Sequence, residues 1–332
     1  MLKYIVKRLG YAILVLLGVS LIIYFLARLM PFDFVEQKIQ AMQAGGNAAI
    51  TPEMIKAMYQ SYGLVEDASF GDILAGYFNW LGSLVRFDLG TSFVFKQPVA
   101  DVIADKMGTS FIVAFIATIF EFLIAIPLGI TAATHQYKFR DYMVTVLVMI
   151  GISLPAFFFG NLLIGFFALE LGWFPSQGMG NATMTMSGIE GLLDTIHHLV
   201  LPITTVVILS IGARMRMTRT NMLEVLGSDF IRTARAKGLK ESVVINKHAF
   251  RNTMIPLVTS LAGLLPALFS GAIITEQVFG LDGIGNAALS AMNQGDIPFI
   301  MGYNMFLAML SVLGILLSDL MYAIVDPRVK LE

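Results

Sequence analysis

Residues Gly227 to Asn252 read GSDFIRTARAKGLKESVVINKHAFRN, an interval of 26 residues between two long apolar segments. A turn joining two membrane-crossing helices needs only a handful of residues, so an interval this long and this basic asks for a reading of its own. Asp229 stands where an acid favours the positive end of a helix, and Gly238 suits a helix stop. The spacing therefore predicts a short capped helix over Asp229–Lys237. Ala234 and Ala236 are small residues among longer ones, Arg232, Thr233, Arg235 and Lys237, and let another surface approach the backbone. Such a helix along the membrane face reads as a docking element. The plainer alternative is a positive anchor that only sets topology.

Outward from that interval the composition decides the environment. The chain of 332 residues is 57% hydrophobic and only 14% charged, and its mean hydropathy is +0.76. Both lie outside the range of soluble globular chains, so this reads as an integral membrane protein. The absence of cysteine excludes disulfides, thiolate catalysis and cysteine-ligated metals. Twenty Met and 25 Phe suit adaptable packing against lipid and other helices.

A helix needs about 20 apolar residues to cross a bilayer. Six stretches qualify: Leu9–Met30, Ser110–Thr134, Tyr142–Leu169, Leu199–Met217, Leu257–Val278 and Phe299–Val325. The first has Lys3, Lys7 and Arg8 before it but too long an apolar run for a signal peptide, and is expected to be retained. Lys and Arg are gathered at the N-terminus, in the Lys138–Arg140 turn, in the interval Arg214–Arg251 and in the Arg328–Lys330 tail, 16 in all. The alternate side has five, all within Pro31–Gly108. By the positive-inside rule both termini are expected in the cytoplasm, and so is the interval Gly227–Asn252.

Residues 1–30 are thus a cytoplasmic start and first span, 31–108 an extracytoplasmic insertion, and 109–332 a membrane core with its basic loop at about 218–256. Within the insertion, Thr51-Pro52-Glu53 reads as a helix start and Gly63 as its stop. Ile73, Leu74, Tyr77, Phe78, Leu81, Leu84 and Val85 recur at helical spacing, which predicts an amphipathic helix at the outer interface or inside a small external domain. The expected class is all-α: six transmembrane helices, a helical insertion after the first, and a short cytoplasmic helix between the fourth and fifth.

RTARAKGL at Arg232–Leu239, followed by His248, Arg251, Asn252 and Pro256, resembles the cytoplasmic signature of permease subunits of ATP-binding-cassette importers. It is similar to the variant in the dipeptide, oligopeptide and nickel branch. IPLG at Ile126–Gly129, SLPAF at Ser153–Phe157, LGWFP at Leu171–Pro175, MLEVL at Met222–Leu226 and DPRVKL at Asp326–Leu331 resemble that branch in order. YGL at Tyr62–Leu64 and DLGTS at Asp88–Ser92 resemble the first of its two permease subunits. Asp282 and Gly295 depart from the pattern, where a proline and an arginine are expected.

The resemblance implies half of a translocation pathway, shared with a second homologous permease, most simply in a heterodimer. Two cytoplasmic ATPase subunits would use ATP and Mg, with no cofactor bound by this chain, and an external binding protein would deliver cargo. No nucleic-acid partner is expected. ATPase coupling is implied for Asp229, Arg232, Thr233, Ala234, Arg235, Ala236, Lys237, Gly238, His248, Arg251 and Asn252. Arg232, Arg235 and Lys237 would pair with acids of the ATPase. The implied setting is a bacterial cytoplasmic membrane, crossed several times, and the implied cargo is di- or oligopeptides. Oligosaccharides and chelated nickel are the alternatives within the class.

Outside that loop the chemistry is sparse. The chain has no GxxxxGK[ST] loop and is not expected to hydrolyse ATP. Gly283–Ala288 spells GxGxxA but lies in an external loop of a membrane protein, where a tight glycine turn is the simpler reading. Adjacent His197 and His198 do not share a helix face, and no metal site is expected of them. Glu121 falls mid-span and must face protein or water, either in a helix–helix hydrogen bond or along a translocation pathway. Pro127, Pro155, Pro202 and Pro266 are expected to kink or end their helices. An ion-coupled secondary transporter would need buried ionisable relays, and only Glu121 and Asp319 qualify.

Overall fold

The computed structural model describes residues 2–28, 35, 38–40, 54–55, 58, 70–180 and 188–325. Of the expected helix between Thr51 and Gly63 only residues 54–55 and 58 are described, and they are helical; the YGL segment and the DPRVKL tail lie outside the described residues. Among the described residues the architecture is all-helical, with one isolated antiparallel bridge between Thr91 and Pro98. The chain divides into two compact units, 1–108 with 286–312, and 109–285 with 313–332.

In the first unit, α1 (Leu2–Arg28) packs its end against α2 (Phe70–Val85). The periodic apolar residues of α2 bring Tyr77 onto Tyr24, with ring centroids 5.5 Å apart, and the Tyr77 hydroxyl lies 3.0 Å from Ser20 Oγ. After α2, buried Asp296 organises the remainder of this unit. Its carboxylate accepts from the Ser92 hydroxyl (2.5 Å) and the Val94 and Phe299 amides (3.0 and 3.2 Å). The DLGTS segment is thereby tied to the first turn of α12 (Ile297–Val325).

The second unit contains the end of α3 (Val99–Thr134), then α4 (Phe139–Ser153), α5 (Ala156–Leu163, continued as a π-helix Ile164–Glu170) and α6 (Ile189–Leu226). α7 (Asp229–Ala236) follows, then a single turn Glu241–Val243, a π-helix Val244–Ala249 and α8 (Phe250–Thr259). A 3₁₀ turn Ser260–Gly263, α9 (Leu264–Phe269) and α10 (Ile273–Val278) complete it, and α11 (Ile284–Asn293) leads back to the first unit.

Among the described residues four helices are long and apolar enough to cross a membrane: Lys7–Ala27, Val99–Thr134, Ile189–Leu226 and Ile297–Asp319. Two of the six expected spans are not continuous helices. Tyr142–Leu169 bends by 99° between Ser153 and Ala156. Leu154 is extended (φ −86°, ψ 131°), as the residue before a proline tends to be, and Pro155 has no N–H to continue the ladder. Leu257–Val278 is segmented by the 3₁₀ turn and by Ser270–Ala272, where Gly271 has φ +72°. Pro127 and Pro202, by contrast, sit inside helices that run through them.

α6 is the backbone of this unit. Glycines let its neighbours approach closely: a Cβ on Gly129 of α3 would lie 2.6 Å from Thr218 Cβ, and one on Gly151 of α4 would lie 2.9 Å from the Ile208 carbonyl. On α6 itself, a Cβ at Gly212 would collide with the Ile152 side chain. At a rise of 1.5 Å per residue the 38 residues of α6 extend roughly 57 Å.

Candidate coupling site

α6 passes into α7 through only Gly227 and Ser228. Ser228 is extended at the helix start, and its hydroxyl donates to the Val225 carbonyl (2.6 Å) instead of capping α7. Asp229 supplies the acid of the first turn and is 96% exposed at its side chain. The chain leaves α7 through Lys237 and then Gly238, which is left-handed at φ +74° and has open space where a Cβ would stand. The sequence predicts a helix over Asp229–Lys237 with a glycine stop; the helix ends one residue earlier, at Ala236, with Lys237 as its C-cap.

The face it buries differs from the expected one. Ile231 and Ala234, three apart and so on one side of the helix, pack into a cluster with Ala133, Met222, Val244 and Ala249. Ala234 is only 7% exposed, so its small side chain admits the chain's own π-helix and α3 terminus, not an outside surface. The outer side is formed by Phe230, 47% exposed, with Arg232, Thr233, Ala236 and Lys237. Leu239 beyond the turn is also exposed.

The three cations expected to meet a partner are not equivalent. Arg235 is engaged within the chain: its Nε and Nη2 donate to Glu241 Oε2 and Oε1 at 3.1 and 2.7 Å. These hydrogen bonds hold the Glu241 carboxyl below its ordinary value, and Glu241 raises the Arg235 guanidinium in return. Arg232 makes only a loose contact with Asp229 (3.6 Å), both well exposed. Lys237 is exposed. His248 is half-buried on the π-helix beside α7, and Arg251 and Asn252 are exposed at the start of α8. The Asn252 amide donates to the His248 carbonyl at 2.7 Å.

Two charge pairs brace the same unit. Glu121 of α3 accepts from Arg214 Nε at 3.0 Å, while Arg214 Nη1 donates to Ser260 Oγ at 2.8 Å. The Arg214 guanidinium also lies 4.5 Å from the centre of the Phe122 ring. Glu121 is thus part of a link between helices. Asp141, buried at the start of α4, accepts from Arg219 Nε and Nη2 at 2.8 and 2.7 Å and from the Tyr137 amide at 3.0 Å. Reading the sequence missed this second pair and the partner of Glu121, because Arg214 and Arg219 look like members of a basic loop. The signal available was their place within a helix-compatible run continuous with the fourth apolar stretch.

The other candidates resolve locally. Gly283 and Gly285 of the GxGxxA run pack against buried Glu276, which accepts from the Ser110 hydroxyl at 2.6 Å. No strand precedes the run among the described residues, so the unit that a dinucleotide requires is missing there. The His197 ring pairs with the Trp173 carbonyl (2.7 Å) and His198 with the Asp194 carbonyl (2.8 Å).

Comparison with known proteins converges on one family. Residues 125–331 match the family described as the inner membrane component of binding-protein-dependent transport systems. The chain is 34% identical over 331 residues to the oligopeptide transport system permease protein AppB of Bacillus subtilis, covering 99% of this chain and 100% of that one. It is 33% identical over 344 residues to the dipeptide transport system permease protein DppB of Alkalihalophilus pseudofirmus, with 99% and 100% covered. Its fold is similar to a chain of the inward-facing MetNI methionine ABC transporter, with a TM-score of 0.52 at 17% identity, covering 68% of this chain and 96% of that chain. The chain belongs to the family of binding-protein-dependent transport system inner membrane components, and it is a membrane-spanning permease subunit of an ABC importer.

Proposed function

We propose that this subunit forms half of the pathway of an importer for di- or oligopeptides, and that α7 is its coupling helix. The observation that carries the reading is the two-sidedness of α7. Its inner face is packed into the chain by Ile231 and Ala234, its outer face exposes Phe230, and only Gly227 and Ser228 separate it from the long α6. An ATPase subunit that takes Phe230 and Leu239 into an apolar cleft would move α6 with it. Through the close contacts at Gly129, Gly151 and Gly212, α3 and α4 would follow.

Arg232 and Lys237 are the cations free to set register with acids of that ATPase, and Arg235 shapes the turn. His248, Arg251 and Asn252 support α7 from the adjoining π-helix and α8. Glu121 and Arg214 border the pathway in this reading, as a buried pair between helices that must shift. The partners are a second permease, two ATPases that consume ATP with Mg, and an external binding protein. Both termini and α7 face the cytoplasm of a bacterial cell, as the distribution of Lys and Arg indicates. The peptide cargo follows from the named functions of the full-length relatives.

Co-expression with the neighbouring transport subunits, purification in mild detergent and assay of peptide-stimulated ATPase tests the reading. ATPase subunits and a second permease are expected to co-purify, with hydrolysis stimulated by binding protein loaded with peptide. Purification of the chain alone, with Phe230→Ala and Gly238→Val behaving as wild type, would remove α7 from any coupling role.

A further inference from the structure

A polar cavity of about 400 Å³ lies among the α3–α4 turn, the end of α6 at Leu223–Gly227, and Arg235 of α7. Thr134, Gln136 and Lys138 of the α3–α4 turn wall it on one side, and Arg235 and Glu241 on another. The wall therefore has two cations and one anion. The anion is already satisfied, because Arg235 holds it at both oxygens. A guanidinium has five N–H donors, so that pair leaves three unspent. Lys138 makes no side-chain hydrogen bond or ion pair among the described residues, and its ammonium adds three more.

The turn that presents Lys138 is held in an unusual backbone conformation. Tyr137 has φ +59°, and its amide is fixed by the buried Asp141 carboxylate. Tyr137 and Phe139 on either side are 73% and 79% exposed. Aromatic rings beside a cation, at the end of a helix long and apolar enough to cross a membrane, mark the depth of lipid headgroups. Unspent donors in a polar cavity at that depth suit a phosphate bearing a diacylglycerol tail, whose chains would pass out beside the two rings.

We propose that this cavity binds the phosphate headgroup of an anionic phospholipid, held by Lys138 and the spare donors of Arg235. Lipid bound there would contact the turn after α7, so the charge of the bilayer would bear on coupling. The inference shares with the proposed function only the placement of this end of the molecule at an anionic leaflet. Its readout needs no ATPase cycle, so the two can fail separately.

The test is native mass spectrometry of the intact complex after exchange into detergent with equal phosphatidylglycerol and phosphatidylcholine. Wild type, Lys138→Ala, Lys138→Arg and Lys247→Ala are compared, the last removing a cation from the same basic region but outside the cavity. Retained phosphatidylglycerol is expected to fall about fivefold in Lys138→Ala, to return in Lys138→Arg and to be unchanged in Lys247→Ala. Added inorganic phosphate should not displace it. Equal retention in Lys138→Ala and wild type overturns the proposal, as does an equal loss in Lys247→Ala, which would mean a diffuse charge effect. Displacement by inorganic phosphate would assign the cavity to a soluble anion. Loss of ATPase subunits from Lys138→Ala with lipid retention intact would assign it to a partner carboxylate.

Discussion

Arg235 reaches across the left-handed turn at Gly238 and grips Glu241 at two points, Nη2 to Oε1 at 2.7 Å and Nε to Oε2 at 3.1 Å. The pair fixes how the chain leaves α7, and its strength depends on the charge of Glu241. Because the pair lowers the pKa of Glu241 in the folded chain, its stabilisation is complete above the ordinary carboxylate range. It is lost as pH falls through the lowered value. Both side chains are substantially exposed, so the contribution is about 0.2–1 kcal/mol. The protection of the amides of residues 237–243, taken relative to the intrinsic exchange rate at each pH, is expected to fall on acidification. Glu241→Gln should show the lower protection already at neutral pH and no further loss of protection on acidification; a retained pH response of the protection would assign it to another group.

Gly238 separates conformational need from close contact. With φ +74° and open space around a virtual Cβ, any L side chain other than Asn is penalised by backbone strain, about 1–2 kcal/mol, irrespective of its size. Gly238→Ala and Gly238→Leu should therefore impair ATP-driven uptake to a similar degree, and Gly238→Asn less. Impairment that grows steadily from Ala to Leu would show instead that a partner surface presses on this position.

The two faces of α7 predict opposite phenotypes. Ile231 is fully buried, so Ile231→Ala should destabilise the permease by about 2–5 kcal/mol, read as a lower Tm in detergent. Phe230→Ala should leave Tm nearly unchanged while weakening retention of the ATPase subunits about tenfold, as loss of an apolar interface anchor does. Pull-down at graded salt against thermal unfolding of the same preparations separates the two.

Asp141 and Arg219 lock the start of α4 to the end of α6. Removing one partner strands the other, so Asp141→Ala is expected to cost about 3–5 kcal/mol. Asp141→Leu combined with Arg219→Met should recover most of that loss, since a packed apolar pair needs no compensation of charge. Thermal unfolding of the single and double variants measures the coupling; additive losses would mean that the pair makes no net interaction.

What could be read without the fold was whatever depends on neighbours along the chain. The apolar runs announced a membrane protein, and the spacing of Ile73 through Val85 announced α2. Asp229 and Gly238 marked α7 to within a residue, because helix ends are set by local backbone and side-chain chemistry. The SLPAF segment held the cause of the 99° bend in Pro155, but not its size. Which surface each helix covers depended on residues far apart in sequence, and only packing could assign it. Ala234 looked like an opening for a partner, yet Val244 and Ala249 fill it. Arg214 and Arg219 looked like loop charges, yet α6 extends past both and brings them to acids 93 and 78 residues away. A charge inside a bundle must find an opposite charge or a donor, and which helix supplies it is a property of the tertiary structure alone.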